Sequence, residues 1–192
     1  MNSVIEKLSP SVTNMIRMDH TKVIATFHQY KADSSPRMKQ ALASTVCLSV
    51  EIHAQLEEEI FYPAMAAFDP ELVISNIPEH DEMRVLISAL RELNPGEEAY
   101  DAAFLALMRT VMHHVAEEET ILLPDAERLL RDRLSELGAQ MTKRRVQLLA
   151  SHAGEIAWNA ARSRPATAAL AGAGVLVAGG YLLRYGLKHA AH

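Results

Sequence analysis

The stretch HAQLEEEIFYP, residues 53–63, recurs in related form as HVAEEETILLP, residues 114–124. In each copy a histidine is followed four positions later by a glutamate and ten positions later by a proline. Residues four apart on a helix lie on one face, with Cβ atoms about 5–6 Å apart. An imidazole and a carboxylate at that spacing can bind one metal ion, or one each of two adjacent ions. Two copies that share the glutamate cluster, the apolar residues and the proline therefore predict a metal site.

A second, shorter repeat lies upstream of these two motifs. Asp19-His20 precedes the first motif and Glu79-His80 precedes the second, sixty residues later. The lone histidine stands 33 residues before the motif histidine in one case and 34 in the other. The chain therefore predicts a helix pair used twice, whose histidines and glutamates converge on one point in the core of a bundle.

Prolines and capping residues mark where the helices begin and end. Short connections between the helices predict antiparallel neighbours, and so an all-α, antiparallel four-helix bundle. Pro63 and Pro124 should kink the second and fourth helices or end their regular part. Gly138 is a predicted C-cap after the last helical segment. The four predicted bundle helices run from Ser9-Pro10 to about Tyr30, from Ser35-Pro36 towards Phe68, from Asn76-Ile77-Pro78 to about Leu93, and from about Glu97 to Leu123.

Length and composition fit one domain with an appendage. The 192 residues divide into a predicted metal-binding bundle at 1–137, a helical stalk at 138–164 and an apolar segment at 165–192. The formal charge of -5 argues against a nucleic-acid partner. A single cysteine excludes a disulfide framework within the chain and a cysteine-based zinc site. The first residues do not have the pattern of a cleaved secretion signal, so we expect a cytoplasmic domain.

Residues 166–183 carry no charge and are rich in alanine, glycine, leucine and valine. Eighteen helical residues extend about 27 Å, which is just enough for a membrane-spanning helix. The segment therefore predicts a tether to the bacterial inner membrane, and its small residues would allow self-association. The alternative is an alanine- and glycine-rich helix packed on the bundle or on another subunit.

Six residues form the predicted ligand set. Four imidazoles and two carboxylates suit iron, with manganese or zinc as alternatives, rather than magnesium or calcium, which prefer oxygen ligands. Two metals bridged by Glu57 and Glu118, each bound by two histidines, would use every ligand and leave open positions for a small molecule. The set comprises His20, His53, Glu57, His80, His114 and Glu118.

The order and spacing of these residues resemble the hemerythrin-like, His-His-Glu cation-binding domains. The resemblance extends over about Pro10 to Leu137 and includes both motif prolines. It implies a four-helix bundle with a non-haem centre of two iron ions joined by an oxo or hydroxo bridge. The implied roles are binding dioxygen or nitric oxide, sensing redox state or iron, and handling peroxide.

One departure from the oxygen-carrying hemerythrins concerns the third helix. Those carriers have a second histidine one turn from the first, whereas the positions four away from His80 are Asn76 and Arg84. The fourth helix also carries Glu118 four residues after its histidine, where the carriers use an aspartate five residues after. The departure shifts the prediction from reversible oxygen carriage to sensing, peroxide chemistry or metal handling.

These observations predict a di-iron protein that binds or senses a small oxidant, namely dioxygen, nitric oxide or peroxide. The alternatives are a peroxide-consuming enzyme, an iron-responsive module that signals through a partner protein, and a helical scaffold without metal. Tyr62 is predicted to pack in the core near the site. The remaining motif glutamates are predicted to form a solvated face, although one could accept a proton from a ligating imidazole. They are Glu58, Glu59, Glu117 and Glu119.

Overall fold

The structure, a computed structural model, describes residues 9–74, 76–154, 156 and 157. This part of the chain is helical and contains no β-strand. Two short π-helical segments, Glu57–Phe61 and Glu118–Leu122, interrupt the α-helices. The α-helices are α1 (Val12–Phe27), α2 (Pro36–Leu56), α3 (Tyr62–Ala66), α4 (Pro70–Ile74), α5 (Ile77–Arg91), α6 (Glu98–Glu117), α7 (Leu123–Leu129) and α8 (Leu134–Ser151).

Serine side chains cap the first two helices. The Ser35 hydroxyl accepts a hydrogen bond from the Met38 amide at 3.3 Å, as the Ser35-Pro36 pair predicted. The cap of α1 is Ser11, which accepts from the Asn14 amide at 3.4 Å, and not Ser9 as predicted. The difference is two residues, and it arises because both serines precede an apolar helical run and either can supply a capping oxygen.

Both motif prolines are accommodated by π-helical turns rather than by a break in the chain. Proline lacks the amide hydrogen that an α-helix needs. The amide just before each proline bonds five residues back: Tyr62 donates to the Glu57 carbonyl, and Leu123 donates to the Glu118 carbonyl. The regular α-helix therefore ends at the motif glutamate while the helical path continues into α3 and α7. Single π turns of this kind often occur at functional sites.

Side-chain contacts show that α1 and α6 run antiparallel. The end of α1 meets the start of α6, where the Tyr30 hydroxyl donates to Asp101 at 2.5 Å. The middle of α1 meets the residues that follow α6, where Arg17 pairs with Glu119 at 3.3 Å. Helices α1, α2, α5 and α6, which correspond to the four predicted from the sequence, all contribute side chains to the core, and α1 and α6 pass each other in opposite directions.

Two apolar clusters fill this core, one towards each end of the bundle. Along α1, Ile16 belongs to the first cluster and Val23 to the second, with His20 between them. Along α2, Val50 belongs to the second cluster and Leu56 to the first, with His53 between them. The predicted ligands therefore occupy a polar layer enclosed by apolar residues above and below.

Helix α8 packs on the bundle instead of forming the solvated stalk expected after residue 137. Leu137, Met141 and Leu148 are buried in the first apolar cluster, together with residues of α1 and α2. Gly138 lies inside α8, so its predicted role as a C-cap is wrong. A Cβ atom at Gly138 would lie 2.0 Å from the Pro10 carbonyl oxygen, so glycine is needed there for a close approach between segments.

The predicted membrane segment, 166–183, lies outside the described residues. Among the helices that the structure does describe, none is long and apolar enough to cross a membrane.

Candidate metal centre

The six predicted ligands come together in the polar layer between the two apolar clusters. Each side chain is buried, with at most 6 % of its residue surface exposed. Their donor atoms form two overlapping groups, and within each group the atoms lie within 4.8 Å of one another. Glu57 and His53 belong to both groups, whereas Glu118, the other predicted bridge, belongs to one. One group is His53, Glu57, His80 and His114, and the other is His20, His53, Glu57 and Glu118.

The inward-facing atoms are the Nε2 nitrogens and the carboxylate oxygens. Glu57 Oε2 lies 3.2 Å from His53 Nε2 and 3.4 Å from His80 Nε2. Glu118 Oε2 lies 3.2 Å from His20 Nε2 and 3.4 Å from His114 Nε2. Ligand bonds of about 2.1 Å place neighbouring donor atoms about 3.0–3.4 Å apart around one ion. The donors are therefore separated as ligands of a shared ion would be.

The lone histidines are oriented by carboxylates behind them. The Nδ1 of His20 lies 2.9 Å from Glu119 Oε1, and the Nδ1 of His80 lies 2.9 Å from Glu58 Oε1. A protonated Nδ1 donates to the carboxylate, which leaves the Nε2 lone pair directed inwards. Carboxylates in this position fix the imidazole orientation and raise its basicity as a ligand.

The motif histidines have carboxylates behind them as well. His114 Nδ1 lies 2.9 Å from Glu79 Oε2. His53 Nδ1 lies 3.7 Å from Asp19 Oδ2, which is beyond direct hydrogen-bonding distance. Each helix pair thus repeats the same arrangement, in which the acidic residue before the lone histidine faces the motif histidine.

Two of these four outer carboxylates, Glu58 and Glu119, were predicted to lie on a solvated face from which one glutamate could reach an imidazole, and no role was predicted for Asp19 and Glu79. The signal was present in the repeat itself, because Glu58 and Glu119 each directly follow the ligand glutamate of their motif. In the same way, Asp19 and Glu79 each directly precede a lone histidine. Of the four motif glutamates that were not predicted as ligands, Glu59 and Glu117 do not contact the predicted histidine ligands, and Glu59 pairs with Arg144 instead.

Tyr62 breaks the symmetry of the site, since its counterpart in the second motif is Leu123. The Tyr62 hydroxyl lies 3.1 Å from Glu118 Oε1 and 3.3 Å from Glu57 Oε2. It also lies 3.3 Å from His80 Nε2. The predicted core position is confirmed, but the residue also places a hydroxyl between the two carboxylates. Burial, followed by the two carboxylates, raises the pKa of Tyr62, so the hydroxyl keeps its proton.

The protonation of the two buried carboxylates is unequal. Burial, reinforced by the charge of Glu118, raises the pKa of Glu57 well above its usual range. Burial also opposes ionisation of Glu118, but the neighbouring imidazoles, with His20 Nε2 at 3.2 Å, outweigh it and lower its pKa to about 2. Two buried carboxylates this close cannot both be charged without a compensating cation. A bound cation would supply that charge.

The pKa values of the histidines are also shifted in opposite directions. Burial lowers the pKa of His53 to about 4, and it also lowers the pKa of His114. Burial opposes the charged form of His20, but the neighbouring carboxylate of Glu118 outweighs it and raises the pKa to about 9. His53 and His114 are therefore neutral, which is the form that binds a metal, whereas His20 would release its proton on binding one.

Several buried polar atoms of this layer make no hydrogen bond within the protein. They include His20 Nε2, His53 Nε2, Glu57 Oε1 and Glu118 Oε2. A buried polar atom without a partner costs about 1–3 kcal/mol. Metal ligation would satisfy these atoms, and nitrogen and oxygen donors in this number suit a transition metal. The residues present therefore fit a metal centre.

The model of the hemerythrin HHE cation-binding domain matches residues 11–126 of this chain. The chain belongs to the hemerythrin HHE cation-binding family. The matched region contains all six predicted ligands and ends within α7, so the resemblance read from the sequence is confirmed for the bundle. The hemerythrin-like, all-helical fold is likewise confirmed.

Two relatives place this domain among known proteins. A crystal structure of a hemerythrin HHE cation-binding domain-containing protein from Mycobacterium kansasii is 22 % identical, with a TM-score of 0.63. It covers 77 % of this chain and 92 % of its own, and at this identity it shows the fold. A protein from Nostoc named DNA nickase is 28 % identical over 118 residues. That match covers 61 % of this chain and 34 % of the Nostoc protein, so the chain spans about a third of that relative's length.

Proposed function

We propose that the hemerythrin domain binds two iron ions in the buried layer and uses them to bind or sense a small oxidant. Glu57 and Glu118 would bridge the ions, which an oxo or hydroxo group would also join. His20 and His53 would serve one ion, and His80 and His114 the other. An iron pair of this kind supplies reversible redox chemistry and open positions for dioxygen, nitric oxide or peroxide. Manganese and zinc remain the alternatives to iron.

The observation that carries this proposal is the orientation of the donors. All four histidines turn Nε2 inwards, while three of them turn Nδ1 to a carboxylate at 2.9 Å. A structural cluster of hydrogen-bonded histidines would satisfy its inward nitrogens within the protein. Here inward atoms of His20 and His53 have no hydrogen-bond partner, although both are buried. The layer therefore presents buried donor atoms that a bound cation would satisfy.

Sensing or oxidant binding is favoured over oxygen carriage by the third bundle helix, α5. Arg84, one turn after His80, points to Glu58 and donates to both of its oxygens at 2.7 Å. It therefore supports the orientation of His80 instead of adding a ligand. The ion held by His80 would have one protein donor fewer than in an oxygen carrier, and Tyr62 faces the space beside it.

Metal analysis with absorption spectroscopy tests the proposal directly. We expect the full-length protein, purified with iron, to hold about two irons per chain and to show the charge-transfer bands of an oxo-bridged pair. A well-folded, colourless protein that takes up no iron would contradict the proposal.

The ligand roles are tested by Glu57→Gln combined with Glu118→Gln, which keeps the side-chain shape and removes both charges. We expect this variant to lose the iron pair. The matched control is Glu59→Gln, which changes a neighbouring carboxylate that pairs with Arg144 at the surface. If the double variant retained two irons, the assignment of the bridging carboxylates would be wrong.

The peroxide-consuming alternative is supported by one specific group, the Tyr62 hydroxyl. Reduction of peroxide needs protons, and Tyr62 keeps a proton beside both carboxylates. Steady consumption of hydrogen peroxide by the iron-loaded protein would favour this enzyme. Stoichiometric binding of an oxidant without turnover would favour a sensor, which would then need a partner protein to pass on its signal.

The predictions about partners and placement also remain proposals. We expect no nucleic-acid partner, because the net charge is -5 and the chain spans about a third of the relative named a DNA nickase. We expect residues 166–183 to tether the protein to a membrane and to allow self-association. Fractionation of cells that express either the full chain or residues 1–160 tests this placement. We expect only the full chain in the membrane fraction, and membrane association of residues 1–160 would contradict the proposal.

A further inference from the structure

A third group of metal-binding side chains lies outside the buried centre, at the surface of α5 and α6. It consists of Glu79, His113 and Glu117, whose donor atoms lie within 4.8 Å of one another. His113 Nε2 is 3.6 Å from Glu79 Oε1 and 3.4 Å from Glu117 Oε1. Donor atoms around a tetrahedral ion with bonds of about 2.1 Å are about 3.4 Å apart. We propose that these three residues form an outer divalent-metal site through which iron reaches the buried centre.

Glu79 connects the outer site to the buried layer. Its Oε2 accepts a hydrogen bond from His114 Nδ1 at 2.9 Å, while its Oε1 faces His113. Exposure of the side chains falls in steps, from 68 % at His113 to 43 % at Glu117 and 16 % at Glu79. The three donors therefore lead from solvent to the imidazole of a buried ligand.

The corresponding face of the first helix pair is closed. The repeat places Ile52 and Leu56 where the second pair has His113 and Glu117, and both apolar residues are buried. They belong to the same cluster as the buried residues of α8. Asp19, the counterpart of Glu79, is held by Arg145 of α8, which donates to both of its oxygens. Metal-binding residues thus replace apolar ones on the face that α8 leaves uncovered.

The chemistry of this group suits a transient site. One imidazole and two carboxylates bind the same metals as the buried centre, since both sets are nitrogen and oxygen donors. Three donors at or near the surface leave positions for water, whereas the buried layer offers six donors that need a cation. An ion should therefore bind at the surface first and be held more tightly inside. The role in iron transfer rests on the proposed di-iron function, but the existence of the outer site does not.

The site is tested by counting bound ions on the full-length protein. We expect iron-loaded protein titrated with Zn²⁺ to bind one ion more than the His113→Ala/Glu117→Gln variant does, by calorimetry and by metal analysis after gel filtration. His28→Ala, which removes an exposed histidine at the end of α1, is the matched control and should keep the extra ion. An equal count in wild type and double variant, or loss of the ion in the control, would overturn the proposal.

The same titration in the Glu57→Gln/Glu118→Gln background separates this site from the buried one. One Zn²⁺ should still depend on His113 and Glu117 there, whether or not the buried layer binds iron. A circular dichroism spectrum shows whether the background is folded, and Glu57→Gln alone is the substitute if it is not. Zn²⁺ binding that is indifferent to His113 and Glu117 in the folded background would also overturn the outer site.

The transfer role is tested by the rate of loading under argon. We expect His113→Ala/Glu117→Gln to take up Fe²⁺ about tenfold more slowly than wild type. Tenfold is the low end of the increase in association rate that charged groups at a binding site produce. The final iron content should be unchanged, because the buried ligands are intact. An unchanged rate would refute the role of the outer site in iron transfer. The existence of the site would still be decided by the Zn²⁺ titration.

Discussion

At the residue scale, Tyr62 combines a core position with a polar task. Its ring packs in the first apolar cluster, and its hydroxyl lies within hydrogen-bonding distance of Glu57 and Glu118. The sequence indicated only the first of these, because an aromatic residue before a proline in an apolar run carries no sign of where its hydroxyl points. Its contacts became evident only in the structure, where the two motif glutamates lie within 3.3 Å of the hydroxyl.

Tyr62→Phe should destabilise the metal-free protein by about 1–3 kcal/mol, because the buried carboxylates lose a hydrogen-bond donor. Urea unfolding of the metal-free protein measures the change. Tyr100→Phe makes the same chemical change in the second apolar cluster, away from the carboxylates. If both variants lost the same stability, the contacts of the Tyr62 hydroxyl with the carboxylates would contribute nothing measurable.

Asp101 joins the end of α1 to the starts of α2 and α6. It accepts from Lys39 Nζ at 2.7 Å and from the Tyr30 hydroxyl at 2.5 Å. Lys39 is buried, so Asp101→Ala would leave its charge without this partner. We expect a loss of about 2 kcal/mol, below the cost of breaking a fully buried pair because Asp101 is partly exposed.

The matched control for Asp101 is Asp81→Ala. Asp81 pairs with Arg84 three residues on, near the start of α5, and its side chain is 68 % exposed. Exposed pairs of this kind contribute about 0.5 kcal/mol or less. Thermal unfolding of both variants gives the comparison, and equal shifts in melting temperature would show that the burial of Lys39 is not what matters.

At the element scale, α8 is where prediction from sequence fell furthest short. Its polar and basic residues, such as Arg144 and Arg145, indicated a solvated stalk. Both arginines instead pair with acidic residues of the bundle, Glu59 and Asp19, while Met141 is fully buried. Long basic side chains can lie along a protein surface and reach acidic partners, so their number does not show that a helix is free in solvent.

Gly138→Ala tests how α8 docks. The new Cβ would meet the Pro10 carbonyl oxygen at 2.0 Å, so the backbone before α1 or the axis of α8 must shift. We expect a loss of about 1–3 kcal/mol in the free energy of unfolding, as for other overpacked positions. Chemical denaturation followed by circular dichroism measures it.

Gly154→Ala is the control for this substitution, because a Cβ at Gly154 meets nothing within 4 Å. It should be neutral or slightly stabilising, since alanine loses less backbone entropy than glycine. A Gly138→Ala protein as stable as the Gly154→Ala protein would show that α8 can shift at no cost.

At the scale of the whole molecule, the bundle was predictable because the chain repeats itself. The periods of 60 and 61 residues, the prolines and the histidine spacing were enough to predict the helix pairs and to bring six residues to one layer. Which carboxylates lie behind the imidazoles, and which side α8 covers, were not predicted. They depend on which face each helix turns to its neighbour, and a one-residue offset such as Glu57 against Glu58 separates a predicted ligand from a carboxylate that contacts an imidazole from behind.

Iron should stabilise the whole fold if the buried layer binds it. A ligand that binds the folded state alone adds about 2.7 kcal/mol when its free concentration is a hundred times the dissociation constant. Urea unfolding under argon, with Fe²⁺ or with a chelator, measures this difference. The Glu57→Gln/Glu118→Gln protein should show no response to iron, and an equal response from it would place the stabilising ion elsewhere.

The two overlapping donor groups have a consequence for how the chain is tied together. His20 and Glu118 fall in the same group although 98 residues separate them. An ion shared by these two side chains would act as a reversible cross-link that closes most of the domain into a ring. A disulfide that closes a loop of about 100 residues restricts the unfolded chain by about 4.7 kcal/mol. This chain has a single cysteine, so the bound metal would supply a cross-link of the kind that other proteins obtain from a disulfide. Removing the metal would remove that cross-link and lower the stability of the domain.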